Sequence, residues 1–198
     1  MAYISARDST GTDSLNFELF HYKAGNLKQI VPTSEENLQE NWELSTAHEP
    51  FFSQDGNRLF FHSRPSREFQ IDTTLLKEEI PNVDIWNYKD KLIQTEQKAL
   101  LTELENRAYL SFIDTENNEV IALHDDEVEF LELDEKMQHQ YILGYSSSPY
   151  EIFRSWEFPW RRDYYIINTQ NGKKRLAVQG ATENLKLSPN GKFAVYYE

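Results

Sequence analysis

Apolar residues along this chain fall into short runs rich in Phe, Tyr, Ile and Val, separated by turn pairs such as Asp55-Gly56 and Asn190-Gly191. That spacing predicts β-strands joined by hairpins, and helical period is scarce. Two hairpins match each other closely: FFSQDGNRLFF at 51–61 and LKLSPNGKFAVYY at 185–197. In each, an apolar residue and a serine (Phe52-Ser53, Leu187-Ser188) precede the turn, and glycine supplies the positive φ that the turn requires. A second hairpin type alternates with the first, at 17–31, 109–123 and 163–178. Its leading strand is apolar on both faces in part, as Tyr164-Tyr165-Ile166-Ile167 shows. Such a strand suits a sheet sandwiched between two others better than a sheet with one wet face.

Interleaving the two types gives four-stranded units. One covers 50–123 and another 128–178, with a partial unit at 1–31 and a second partial one at 185–198. Four-stranded antiparallel units in series are the blades of a β-propeller, and each blade needs a neighbour to cover its faces. The expected fold is therefore all-β, a partial propeller in one domain. Residues 62–82 read as a surface excursion and 90–106 as one inserted helix. The helix would carry Ile93, Gln97, Leu100, Leu101 and Leu104 on the side that packs against its own blade. Residues 146–162 form a third irregular stretch.

Length and composition narrow this further. The 198 residues suit one domain or a short repeat array, and 39% hydrophobic with 14% aromatic residues provide for a real core. A net charge of −13 argues against nucleic acid or an anionic membrane as partner. The absence of cysteine removes disulfides, thiol nucleophiles and cysteine-type zinc sites. No run approaches the roughly eighteen apolar residues of a membrane helix, so a soluble chain without a cofactor is expected.

Several stretches together resemble the β-propeller domain of the prolyl oligopeptidase and dipeptidyl peptidase family, in particular its long exported bacterial members. They are FFSQDGNRLFFHSRP, VDIWNYKDKLIQTEQ at 83–97, YILGYSSSPYEIFRSWEF at 141–158, RRDYYIINTQNGKKRL at 161–176, and LSPNGKFAVYY. The Ser-x-Asp-Gly turn is common to many propellers, whereas the 83–97 segment is far more specific. The resemblance implies a serine peptidase in which a propeller shields the active site of an α/β-hydrolase domain and filters peptide access. It also implies a periplasmic or secreted location. A nucleophile elbow reads Gly-x-Ser-x-Gly; here Gly144-Tyr145-Ser146-Ser147-Ser148 lacks the second glycine. The expected role is thus noncatalytic, with the hydrolase domain and its peptide substrates as partners. The rival is a stand-alone propeller-like module of the TolB type that binds a peptide, glycan or protein. Two blades and parts of others do not close a ring, so self-association through open blade faces, or pairing of the terminal strands, is also expected.

Candidate site residues are few. Histidines 21, 48, 62, 124 and 139 stand singly and are expected at the surface or in loops. The acidic run from Asp125 to Glu135 offers oxygens for Ca²⁺ but lacks a binding loop, so a solvated connection is preferred. Glu78 and Glu79 have the chemistry to grip a peptide's amino terminus, although a Lys-Glu-Glu run is usually exposed surface. Trp156, Phe158, Trp160, Tyr164 and Tyr165 could form a stacking platform, with Arg154, Arg161 and Arg162 beside it to hold a carboxylate. The preferred alternative has the tryptophans filling gaps between blades and the arginines in solvent.

Overall fold

A computed structural model describes residues 1–7, 16–23, 25–31, 42–66, 83–115, 119–134, 136–188 and 191–197. The first sheet has strands β1 (Ala2–Arg7), β2 (Asn16–Lys23) and β3 (Asn26–Val31) in sequential order. The second contains β4 (Trp42–Leu44), β5 (Phe51–Phe52), β6 (Arg58–Pro65), β7 (Tyr109–Asp114) and β8 (Val120–Ala122). The third is a four-stranded meander of β9 (Phe130–Glu132), β10 (Tyr141–Ser146), β11 (Arg162–Asn168) and β12 (Lys174–Ala181). A last hairpin pairs β13 (Lys186–Leu187) with β14 (Ala194–Val195). Every pairing is antiparallel. The chain is all-β, built of small antiparallel sheets set in series like propeller blades.

The sheets stack because their central strands are apolar on both faces. Side chains alternate across a strand, so neighbouring residues of β6 enter different cores. Leu59 and Phe61 join Leu19, Leu44 and Ile113 against the first sheet, whereas Phe60 joins Leu110, Phe112, Ile142 and Ile167 against the third. The third sheet repeats the arrangement: Tyr165 and Ile167 face the second sheet, and Tyr164 with Leu143 packs on Leu185 before the last hairpin. The two-sided reading of residues 164–167 is therefore what the packing shows.

The matched hairpins share their hydrogen bonds as well as their sequence. Ser53 N–H donates to Arg58 O at 2.9 Å, Gly56 N–H to Ser53 O at 3.0 Å, and Arg58 N–H to Ser53 Oγ at 3.0 Å. The equivalents are Ser188 N–H to Phe193 O at 2.8 Å, Gly191 N–H to Ser188 O at 2.8 Å, and Phe193 N–H to Ser188 Oγ at 3.0 Å. Gly56 and Gly191 have φ of 74° and 66°.

Four expectations need correction. The predicted helix at 90–106 is two short helices, α1 (Gln94–Ala99) and α2 (Leu101–Glu105), meeting at Leu100. Neither start is capped by a side chain, and no blade flank covers the stripe, with Ile93 58% and Leu101 52% exposed. Short helices without a packed face lack the usual source of helical stability. Strand β6 runs to Pro65, past the predicted start of the insertion at His62, because Trp42, Glu43 and Leu44 pair with Pro65, Arg64 and Ser63. β4 and β5 thus flank opposite ends of β6, and the neighbour of that strand is split in two. The first sheet and the last hairpin are separate sheets, so the described terminal strands do not pair with each other. Finally, His124 is buried, not at the surface. Its Nε2 accepts from Leu110 N–H at 2.7 Å and its Nδ1 donates to Val128 O at 3.1 Å.

Two predictions follow from this packing. Phe112→Ala, in the core between the second and third sheets, should cost about 3–5 kcal/mol in denaturant unfolding. Gly144→Ala should cost about 1–3 kcal/mol, because a Cβ there would collide with Val128 Cγ1 and stand 2.9 Å from Ile167 Cδ1.

A third prediction concerns pH. Burial holds the His124 imidazole at a pKa of about 4, and burial with His48 beside it does the same to His62. His62 Nδ1 is buried with no hydrogen-bond partner among the described residues, which suits a neutral ring. The folded values lie below the ordinary histidine value of 6.5, so protons bind the unfolded chain first as pH falls. Stability should drop from pH 6.5 downward, by about 2 kcal/mol at pH 5 from His124 alone. Equilibrium unfolding at pH 7 and pH 5, with His124→Gln as the comparison, reads this loss.

Candidate functional site

Residues 146–162, read as irregular from the sequence, leave β10 and turn through a 3-10 helix, Ser148–Phe153, before β11 begins. Ser147-Ser148-Pro149 is the local reason: proline at the first helical positions needs no donor and is preset for the helical φ. Two buried carboxylates hold this segment to the sheets. Glu129 Oε2 accepts from Ser146 Oγ, Ser147 N–H and Ser148 N–H, each at 3.0 Å. Its Oε1 pairs with Arg107 at 3.3 Å, from the chain just before β7 in the second sheet. Asp163 Oδ1 accepts from the Tyr150 hydroxyl at 2.7 Å and from Gly180 N–H at 2.8 Å. Burial and the adjacent Asp163 carboxylate push the Tyr150 phenol up to about 12, so it remains a donor.

Glu129 overturns part of the sequence reading, which placed the acidic run in solvent. Its side chain is 8% exposed, and a buried carboxylate is tolerable when several donors surround it. Asp125 is also engaged: it pairs with Lys174 and accepts from Glu127 N–H and Val128 N–H. Gly144 and Ser146 both lie within β10, and Ser146 is buried and bonded to Glu129, so this serine is not presented on a nucleophile elbow.

Between the 3-10 helix and the start of β11 lies a cavity of about 200 Å³, lined by Ser147, Tyr150, Phe153, Arg154, Trp160, Arg161 and Arg162 together with Glu151 and Glu157. The Arg154 guanidinium lies over the Trp160 ring, 5.4 Å from its centroid. Arg161 pairs with Glu157 at 3.4 Å, and Arg162 stacks on Tyr145 while donating to Asn184 Oδ1 at 3.1 Å. Burial, followed by the charge of nearby Glu129, raises the Glu151 carboxyl above its ordinary value. Two other hollows, of about 280 and 490 Å³, have no arginine in their linings.

Of the residues singled out from sequence, Arg154, Trp160 and Arg161 come together in this cavity. Trp156 stands beside it against Phe153, with ring centroids 6.1 Å apart. The expectation that the tryptophans fill gaps between blades is not met: Trp156 is 68% and Trp160 52% exposed, and Phe158 is 88% exposed, whereas Tyr164 and Tyr165 are buried in the cores on either face of β11 and take no part in a platform. These rings meet one another, Phe153 against Trp156 and Phe158 against Trp160, in place of the sheets. Glu78 and Glu79 lie outside the described residues. Ser147, Tyr150 and Glu151 were missed, although the Ser-Ser-Pro start signal would have placed them on one short helix. The histidines are occupied elsewhere: His48 packs at a tilt against His62 with centroids 4.3 Å apart, His21 packs on Phe52, and His139 faces Asp134 at 3.5 Å.

No protein-family model matches the chain, and no curated protein matches it. The solved structure of TolB from Acinetobacter baumannii aligns with 98% of this chain and 45% of its own, at 16% identity and a TM-score of 0.27. The chain spans less than half of that protein, and at this TM-score the likeness carries no argument.

Glu129→Ala should cost about 2–3 kcal/mol, because the Ser147 and Ser148 amides and Arg107 lose their acceptor together. Denaturant unfolding measures the loss. Arg107→Ala should cost less, since it leaves the three other bonds to Glu129 in place.

Proposed function

We infer that this chain is a noncatalytic, propeller-type binding module that serves a serine peptidase by shielding its active site and filtering the peptides that reach it. The observation that carries the reading is the cavity at 147–162: arginine and tryptophan face a small open hollow held by Glu129 and Asp163 on rigid sheets. Binding sites combine apolar lining with a few fixed polar groups in this manner. The segments at 83–97 and 141–158 supply the link to a peptidase through their resemblance to that family's propeller. The hydrolase domain would be the partner, short peptides the traffic, and the periplasm or exterior the compartment. A surface with net charge −13 would repel acidic peptides at long range in low salt, so selection at the cavity acts on what passes that field.

Purified chain incubated with chromogenic dipeptide and tripeptide substrates should give no turnover above blank, while fluorescently labelled short peptides bind it in an anisotropy titration. Turnover that persists after contaminating proteases are removed, or no binding across the peptide set, would overturn the reading.

A further inference from the structure

We propose that the cavity at 147–162 takes the C-terminal residue of a peptide, with Arg154 gripping the free carboxylate and Trp160 supporting the terminal side chain. This deepens the binding-module reading and rests on it. Among the described residues Arg154 has no carboxylate within ion-pair distance, whereas Arg161 is engaged by Glu157 and Arg162 by Asn184 and Tyr145. The Arg154 guanidinium over the Trp160 indole has no other hydrogen bond among the described residues, and its planar fork of donors matches the two oxygens of a carboxylate. The Ser147 hydroxyl, on the same lining, also has no hydrogen-bond partner among the described residues, and it adds a neutral donor.

About 200 Å³ falls below the roughly 300–1,000 Å³ of drug-sized sites, which suits one terminal residue seated in the hollow with the rest of the peptide outside it. The ligand must carry both a charge and an apolar part, since Trp160 is 52% exposed next to the wholly polar head of Arg154. Finally, it must carry little charge. Three arginines against Glu151 and Glu157 leave an excess of one positive charge within a chain of net −13. A single carboxylate balances the lining, where a polyanion would be repelled by the surrounding field. A free peptide C-terminus, with one carboxylate next to one side chain, meets all of these requirements.

Calorimetric titration of the full chain with Gly-Gly-Phe and with its C-terminal amide tests the assignment. The acid should bind at least tenfold more tightly than the amide, and Arg154→Gln should abolish that preference. Arg175→Gln, on the exposed part of β12, should leave it intact, and circular dichroism checks that each variant is folded. Equal affinity for acid and amide would overturn the carboxylate site while leaving a peptide-binding module standing. A preference that survives Arg154→Gln would place the site elsewhere and overturn the assignment. Failure of both peptides, or binding of an oligosaccharide such as maltotriose in their stead, would also overturn it; the anisotropy titration shows separately whether peptide binding of any kind remains.

Discussion

Burial on both faces of each central sheet is the constraint on which this structure depends. A sheet with Phe60 on one side and Phe61 on the other leaves a large apolar surface wet unless something covers each face. The second and third sheets satisfy each other through Phe112, Ile142 and Ile167, and the outer sheets cover their remaining faces. Order along the row therefore follows order along the chain, since each hairpin has its nearest cover in the next one. The outermost surfaces stay apolar in part, as exposed Tyr22 and Leu27 on the first sheet and Val195 and Tyr197 at the last hairpin show.

The cavity lies off the row and depends on it. Its walls come from a segment with little regular backbone, so fixed geometry has to be imported from the sheets by buried carboxylates. Glu129 and Asp163 do this through backbone amides and hydroxyls, leaving the guanidinium of Arg154 and the indole of Trp160 to face solvent. Precision in the framework and exposure at the lining are the usual division of labour for loops that bind.

How much was legible from sequence follows from the range of the interactions involved. The strand-rich fold and its two-sided sheets were visible because Tyr164 to Ile167 state their burial locally, and the matched turns at Ser53 and Ser188 because hydrogen bonds within a few residues dictate them. β4 was missed because three residues have no readable period and earn strand status only by pairing with Ser63, Arg64 and Pro65. The helix between 90 and 106 was over-read, since a stripe such as Ile93, Leu100 and Leu104 signals packing only where another element supplies a partner. Arg154, Trp160 and Arg161 were recognisable by composition within one short segment. Glu129 and Asp163 were not, because their meaning lies in bonds to residues 13 to 22 positions away that only the folded backbone brings into reach. A buried acid and a solvated one look alike in a row of acids.

The pairing of Glu129 with Arg107 has a mechanical consequence. One carboxylate spans the seam between two sheets and also anchors the first turn of the cavity wall. The two oxygens divide the work, Oε1 holding Arg107 of the second sheet and Oε2 the start of the wall, so the seam and the wall share one side chain through separate atoms.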